Sequence, residues 1–528
     1  MKLLAASALT FLLVLPPVGA QVNVTTSRNN NSRDGQNLNE TILTPANVNV
    51  GHFGKLFSQP VDGYIYAQPL YVSNVSLPGL GVHNVAYVAT EHDSVYAFDA
   101  DNNTGMNASP LWHTSFIDPA HGITSVSSGD VSCNDLVPEI GVSGTAAIDL
   151  GTQTMYVLAK TKENGQFFHR LHALDITTGQ ERPGSPVVIS ARVKGNGDGS
   201  SGGYINFDPL REAHRAGLLL VNGFVFIAWA SHCDIGPYHG WVMVYNQTTL
   251  KRLKVWNTTP NGGLGGVWQS GTGLASDGNY VFFATGNGTY DGPKGGRDFG
   301  DSVAKVPAVL NPPRPYDYFT PYNQGSYEHF DTDVGSGGVL LLPDQGDGAP
   351  HRHLLVQVGK SGSIYLIDRD RMGAYNPNNN SQIVQDMEGA VGGLWATPAW
   401  WNNNVYFGGS GDYLRQYTFD PTTGLLSNGA ITTSRNVFGY PGSSPSISAN
   451  GTSDAIVWAL QTDNYGRGPG ILHAYDANNL ATELYNSNQN QSRDNPGGAV
   501  KFTVPTIANG KVYVPASQQL SVFGLLAN

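Results

Sequence analysis

Charge is scarce in this 528-residue chain: 13% of residues are Asp, Glu, Lys or Arg, and 40 acidic side chains outnumber 29 basic ones, for a net charge of −11. No stretch concentrates lysine and arginine, which excludes a basic face for nucleic acid or anionic lipid. Beyond the first 20 residues no apolar run is long enough to span a bilayer. Cysteine is reduced to Cys133 and Cys233, too few for a disulfide scaffold or a thiolate metal centre. Segments able to form a long helix are few, which leaves an all-β reading.

The first 20 residues, "MKLLAASALTFLLVLPPVGA", carry one early lysine, a short apolar run and a small-residue end. This is the pattern of a secretory signal peptide cleaved after Ala20, and predicts a secreted, extracellular protein. In that setting Cys133 and Cys233 are expected to form one disulfide closing a long loop, with two free thiols the alternative. Sequons at Asn23, Asn39, Asn74, Asn246 and Asn450 are acceptors for glycosylation in a eukaryotic secretory pathway. Residues 21–46 are polar and weakly patterned, and read as a mobile or surface-draped leader. The remainder, 47–528, reads as a single domain.

What is abundant is turn chemistry, with 65 glycines and 31 prolines separating short apolar runs. One pattern recurs: a small-residue inner strand, a turn, a β-branched or aromatic strand, a loop, and a strand ending in Asp plus a turn. Inner strands are visible in "YAQPLYV" (66–72), "GVSGTAAID" (141–149), "HRAGLLLV" (214–221), "SGTGLASD" (270–277), "GSGGVLLLP" (335–343), "WATPAWW" (395–401), "SSPSISAN" (443–450) and "FTVPTIANG" (502–510). Small antiparallel sheets repeating in this way are the blades of a β-propeller, here eight-bladed. The last repeat shows only three strands, and "FGKLFSQPVDG" (53–63) stands ahead of the first with nothing to pair with. The N-terminal strand is therefore expected to complete the last blade and close the ring.

In such a blade the loop into the inner strand and the loop joining the second and third strands share one face, around the channel mouth. The stretch "ASHCDIGPYHGWVMVY" (230–245) supplies one such loop, with His232, Cys233, Asp234 and His239. Two histidines with no fixed third fall short of a transition-metal site, so hydrogen bonding is the expected role of His232 and His239. "VPEIG", "GGVWQSG", "ATGNGTYDG", "HFDTDVGSG" and "VGKSG" reach the same face.

These loops, together with the repeat "VYAFDADNNTG", resemble the pyrroloquinoline-quinone-dependent alcohol dehydrogenases, eight-bladed propellers that hold the quinone and a calcium ion at the channel mouth. The resemblance implies metal ligands at Asp234, in "DIGPYHGWVMVY", and Asn287, in "FFATGNGTY". It implies stacking under the quinone by Trp268 of "VWQSGTG", and a contact to the quinone from Lys360 of "GKSGSIYLIDRD". The catalytic base falls on Asp333 of "FDTDVGSGG", or on Asp331 in a shifted register. The implied activity is oxidation of a small alcohol or sugar, with hydride passing to the quinone and electrons to an external acceptor.

The chain departs from the family pattern at three places. Only Cys133 stands in the loop where the family has adjacent cysteines, Tyr66 or Gln68 replaces a glutamate on the first inner strand, and no CxxCH supplies a fused haem domain. Each candidate also has a structural reading: Trp268 as filler of the mouth, Asn287 as a brace of a Gly-rich turn, Asp331 and Asp333 as turn formers, Lys360 as a solvated hairpin tip. Two other functions remain open on the same face. One is a non-catalytic propeller binding protein or glycan; the other is a hydrolase or lyase built on Glu139, His214 and Arg215.

Overall fold

The computed structural model describes residues 22–309 and 315–527. The expected signal peptide, 1–20, lies outside the described residues. Eight small sheets follow one another around a ring as a β-propeller. The first contains Leu70–Leu77, Gly81–Ala89, Ser94–Asp99 and Trp112–Ser115, each antiparallel to the next. No helix among the described residues is long and apolar enough to cross a membrane.

Sequence alternation suggests that one side of each strand packs on a neighbouring sheet. The second strands in fact pack on both sides, because every blade is sandwiched between two others. In Phe224–Ser231 of blade 3, Val225, Ile227 and Trp229 join Tyr156, Leu158 and Leu171 of blade 2. The residues between them, Phe226 and Ala228, join Val281, Phe283 and Ala304 of blade 4. Each such large apolar side chain contributes about 1.5–3 kcal/mol on leaving water. Small residues crowd the axis for a steric reason: a Cβ on Gly338 would lie 2.1 Å from Thr272 Cγ2, and one on Gly273 would lie 2.4 Å from the Gly217 carbonyl oxygen.

The eighth sheet is built from both ends of the chain. Phe53–Tyr64 runs antiparallel to Lys511–Leu525, from Phe53 opposite Leu525 to Tyr64 opposite Ser517, and Thr506–Ala508 pairs on the other side.

Residues 22–46 do not form a surface-draped leader. They cross the end of the channel and bond to the inner strand of every blade in turn. Val24 exchanges backbone hydrogen bonds with Tyr71, and the Ile148 N–H donates to the Thr25 carbonyl. The Asn31 side chain donates to Leu220 O, while the N–H groups of Ser276, Leu341, Trp400 and Ile447 donate to the carbonyls of Asn31, Ser32, Asp34 and Gly35. The Asn37 side chain then donates to Ile507 O in blade 8. Arg28 and Arg33 are completely buried in this segment. The polar composition that suggested a leader serves instead to satisfy strand-end amides and carbonyls.

Candidate functional site

The plug bonds the far ends of the inner strands, so the opposite mouth is framed by the loops that enter them. A cavity of about 270 Å³ opens there, lined among others by Arg215, Asp234, Trp268, Asp333, Lys360 and Tyr440. Trp268 stands ahead of Ala275–Ser276, Asp333 ahead of Leu340–Leu341, and Lys360 just after Leu354–Val358. Asp331 and Cys233 also line this space, so five of the six proposed catalytic, cofactor and metal residues reach one cavity.

Asn287, the sixth, is tied to the cluster by hydrogen bonds. Its backbone N–H donates to Asp333 Oδ1 at 2.6 Å, and its side-chain Nδ2 donates to Asp331 Oδ1 at 3.2 Å. Lys360 Nζ bridges the two carboxylates, 2.6 Å from Asp331 Oδ1 and 2.7 Å from Asp333 Oδ2. Asp333 is buried at 2% exposure, whereas the Asp331 side chain stands at the rim, 59% exposed. Gly286 permits this closeness, since a Cβ there would lie 2.2 Å from Asp333 Oδ1.

Burial pushes the Asp333 carboxyl up, and the Lys360 ammonium opposes that shift. Burial would lower the Lys360 amine, but Asp333 and Asp331 overrule it and hold the amine above its ordinary value. Asp234 sits in the left-handed region at φ 53° and accepts a hydrogen bond from the Tyr238 hydroxyl. Burial, reinforced by the charge of Asp333, pushes its carboxyl up to about 6.

Two buried atoms here have no partner: Asn287 Oδ1 and Trp268 Nε1. Among the described residues no group of three or more His, Cys, Asp or Glu side chains is arranged to hold a metal. The oxygen donors present are the buried carboxylate of Asp333, the half-buried carboxylate of Asp234 and the orphaned amide oxygen of Asn287, of the hard type that calcium takes.

The other side of the cavity carries Arg215, which the sequence suggested only for the hydrolase or lyase alternative, and Asp135, Trp395 and Tyr440, which no local motif marked. Arg215 Cζ lies 5.2 Å from the Trp268 ring centroid and 4.3 Å from that of Phe502. Its Nη2 pairs with Asp135 at 2.6 Å. Burial would raise Asp135, but Arg215 and Lys501 hold it below the ordinary carboxylate range. Trp395 packs edge-on to Tyr440, with centroids 5.1 Å apart. Only their positions ahead of inner strands could have identified them.

Cys133 and Cys233 are joined in a disulfide, with Cα atoms 5.7 Å apart and a sequence separation of 100. It ties the entry loop of blade 2 to the loop that carries Asp234. The histidines beside it are structural: His232 Nε2 lies 2.7 Å from Lys160 Nζ, and His239 bonds the Thr259 hydroxyl and the Asp198 carbonyl.

The alternative set of Glu139, His214 and Arg215 shares no hydrogen bond. Glu139 pairs with His92 at 2.9 Å, and His214 has neither ring nitrogen partnered, its imidazole pushed down to about 3 by burial.

The sequence matches no family model and no curated protein. Among solved structures, the quinohemoprotein alcohol dehydrogenase from Comamonas testosteroni aligns with a TM-score of 0.62 at 14% identity, covering 96% of this chain and 81% of that one. The quinohemoprotein alcohol dehydrogenase ADHIIG from Pseudomonas putida HK5 aligns with a TM-score of 0.59 at 16% identity, with the same coverage of both chains. At these identities the likeness establishes the fold.

Proposed function

We propose that this chain is an exported oxidoreductase that oxidises a small alcohol or sugar at the channel mouth, using pyrroloquinoline quinone and calcium. The observation that carries the reading is the convergence of Asp333, Lys360, Asp234 and Trp268 on one cavity, with Asn287 hydrogen-bonded to Asp333 behind it and its buried amide oxygen left unpaired. When bound, the quinone supplies a two-electron acceptor and calcium a Lewis acid.

In this reading Asp234 and the orphaned Oδ1 of Asn287 hold the calcium ion. Trp268 provides a flat floor for the quinone, and Arg215, over that ring, offers a cation to its carboxylates. Asp333 takes the hydroxyl proton of the substrate on its carboxylate. The Lys360 ammonium at 2.7 Å and the Asn287 N–H at 2.6 Å fix that carboxylate in place and oppose the upward shift that burial imposes on it. The cystine and Trp395 bound the cavity and restrict its water. In this reading the electrons leave the site for an external acceptor.

Reconstitution tests this directly. Protein mixed with the quinone and calcium should develop bound-quinone absorbance and bleach a redox dye when alcohols or sugars are added. Trp268→Ala should lose the quinone while retaining the calcium response. Absence of both bound quinone and any calcium-dependent thermal shift in the wild type would remove the oxidoreductase reading and leave a binding propeller.

A further inference from the structure

A second cavity, of about 300 Å³, lies beside blade 3 and shares no lining residue with the mouth. The loop 232–239 divides the two: Cys233 and Asp234 border the mouth, whereas Pro237 and His239 border this cavity. Its other walls come from the segment between blades 2 and 3, where Arg192–Lys194 and Tyr204–Asn206 form a hairpin, and from Glu212, which opens blade 3.

The lining carries three carboxyl groups, Asp198, Asp208 and Glu212, and no lysine or arginine. Asp198 and Asp208 are exposed, and Glu212 is buried at 1% exposure. His239 is bonded at both ring nitrogens, to the Thr259 hydroxyl and Asp198 O, and burial lowers its imidazole. The cations of the neighbourhood stay outside the wall. Lys160 Nζ is held by Leu210 O, Glu212 O and His232 Nε2, the Arg192 guanidinium lies 4.6 Å from the Tyr204 ring centroid, and Arg211 is not part of the lining.

Glu212 Oε1 accepts from Trp241 Nε1 at 3.1 Å and from the His239 N–H at 3.4 Å, whereas Oε2 is buried without any partner. Ser231, opposite Glu212 in the strand pair, makes no bond to it. Glu212 and the His239 it holds both line the cavity, so this carboxyl stands at its inner wall. Burial pushes it well above the ordinary range, against the bonds from Trp241 and His239; a charged donor offsets that cost. Two observations set the kind of donor. Among the described residues no group of three or more His, Cys, Asp or Glu side chains is arranged to hold a metal, so the three carboxyls do not converge on one ion. The rest of the wall is largely apolar, formed by Ile205, Phe207, Pro209 and Pro237. Ammonium groups separated by methylenes match both.

We propose that this cavity binds an aliphatic diamine or polyamine, with one ammonium group bonded to Glu212 Oε2, a second at the Asp198 and Asp208 carboxylates, and the methylene chain along the apolar wall. The site is separate from the mouth and independent of the redox reading.

The test is titration calorimetry of the full protein with putrescine at low ionic strength. The diamine should bind with unit stoichiometry, and added salt should weaken it, because two of its carboxylate partners are exposed. Glu212→Gln, which keeps an acceptor for Trp241, should lower the affinity roughly tenfold. Asp208→Asn, at an exposed position, should give a smaller loss and serves as the variant if Glu212→Gln does not fold. Crystals soaked in putrescine should show a nitrogen within hydrogen-bond distance of Glu212 Oε2. Equal binding of the isosteric neutral diol, affinity unchanged in both variants, or no heat at all would overturn the proposal.

Discussion

Replacing both Cys133 and Cys233 by alanine should lower stability by an amount that the loop length sets. The bridge spans 100 residues of sequence, and on the chain-entropy account a loop of that size is worth about 4.7 kcal/mol. A chain of this length melts with an entropy of order 1 kcal/mol per degree, so the expected fall in melting temperature is roughly 4–5 °C. Scanning calorimetry of the wild type, the wild type with reductant, and the double variant separates causes. Reductant should shift the wild type to the position of the variant and leave the variant unmoved. The half-cystine at Cys233 borders Asp234, so the variant should also bind calcium less tightly, its ligand loop no longer anchored to blade 2. Equal melting of the bridged and cysteine-free proteins would refute the argument, because it would mean that the link removes no net entropy from the unfolded chain.

Other consequences are as direct. Asp234→Ala and Asn287→Ala should each abolish calcium-dependent stabilisation while leaving the metal-free protein nearly as stable, whereas His239→Ala should keep the calcium effect; thermal melts with and without calcium decide this. The Asp234 carboxyl, raised to about 6 by burial and by Asp333, favours protonation in the folded state. Its contribution is therefore most favourable below the ordinary carboxylate range and is lost as pH rises toward 6. Asp234→Asn should flatten that slope, and identical pH profiles for the two metal-free proteins would count against it. At the calcium site proposed above the ion would compete with the same proton, so its affinity should fall as pH drops below 6. Deleting residues 1–64 removes the plug and the strand Phe53–Tyr64 together. The product should aggregate, and a soluble, cooperatively melting truncation would contradict the pairing with Lys511–Leu525.

The blades were legible because Gly and Pro cut the chain into short apolar runs at a regular spacing. The mouth loops followed from blade geometry: once an inner strand is recognised, the residues ahead of it, such as Trp268 and Asp333, are placed. Arg215, Asp135 and Tyr440 lie in equally well-placed loops but belong to no local motif, and their pairing joins blades far apart in sequence. The plug was illegible for a different reason. A segment whose partners are strand-end amides needs no apolar periodicity, and so has the composition of a disordered tail. Arg28 and Arg33 look like surface charge until the strands around them are in place.

That plug couples one segment ahead of the first blade to the whole ring. Its hydrogen-bond partners are scattered from Tyr71 to Ile507, so a ribosome must deliver almost the entire chain before the segment has anywhere to dock. Loop-closure entropy over such separations makes it a late event in folding. Until then residues 22–46 remain open to a protease, and afterwards most of the segment is covered, with none of residues 24–37 exposed. Cleavage within this one segment thus reports the integrity of the full circle: damage to any blade should register at the same two dozen residues, however distant the lesion.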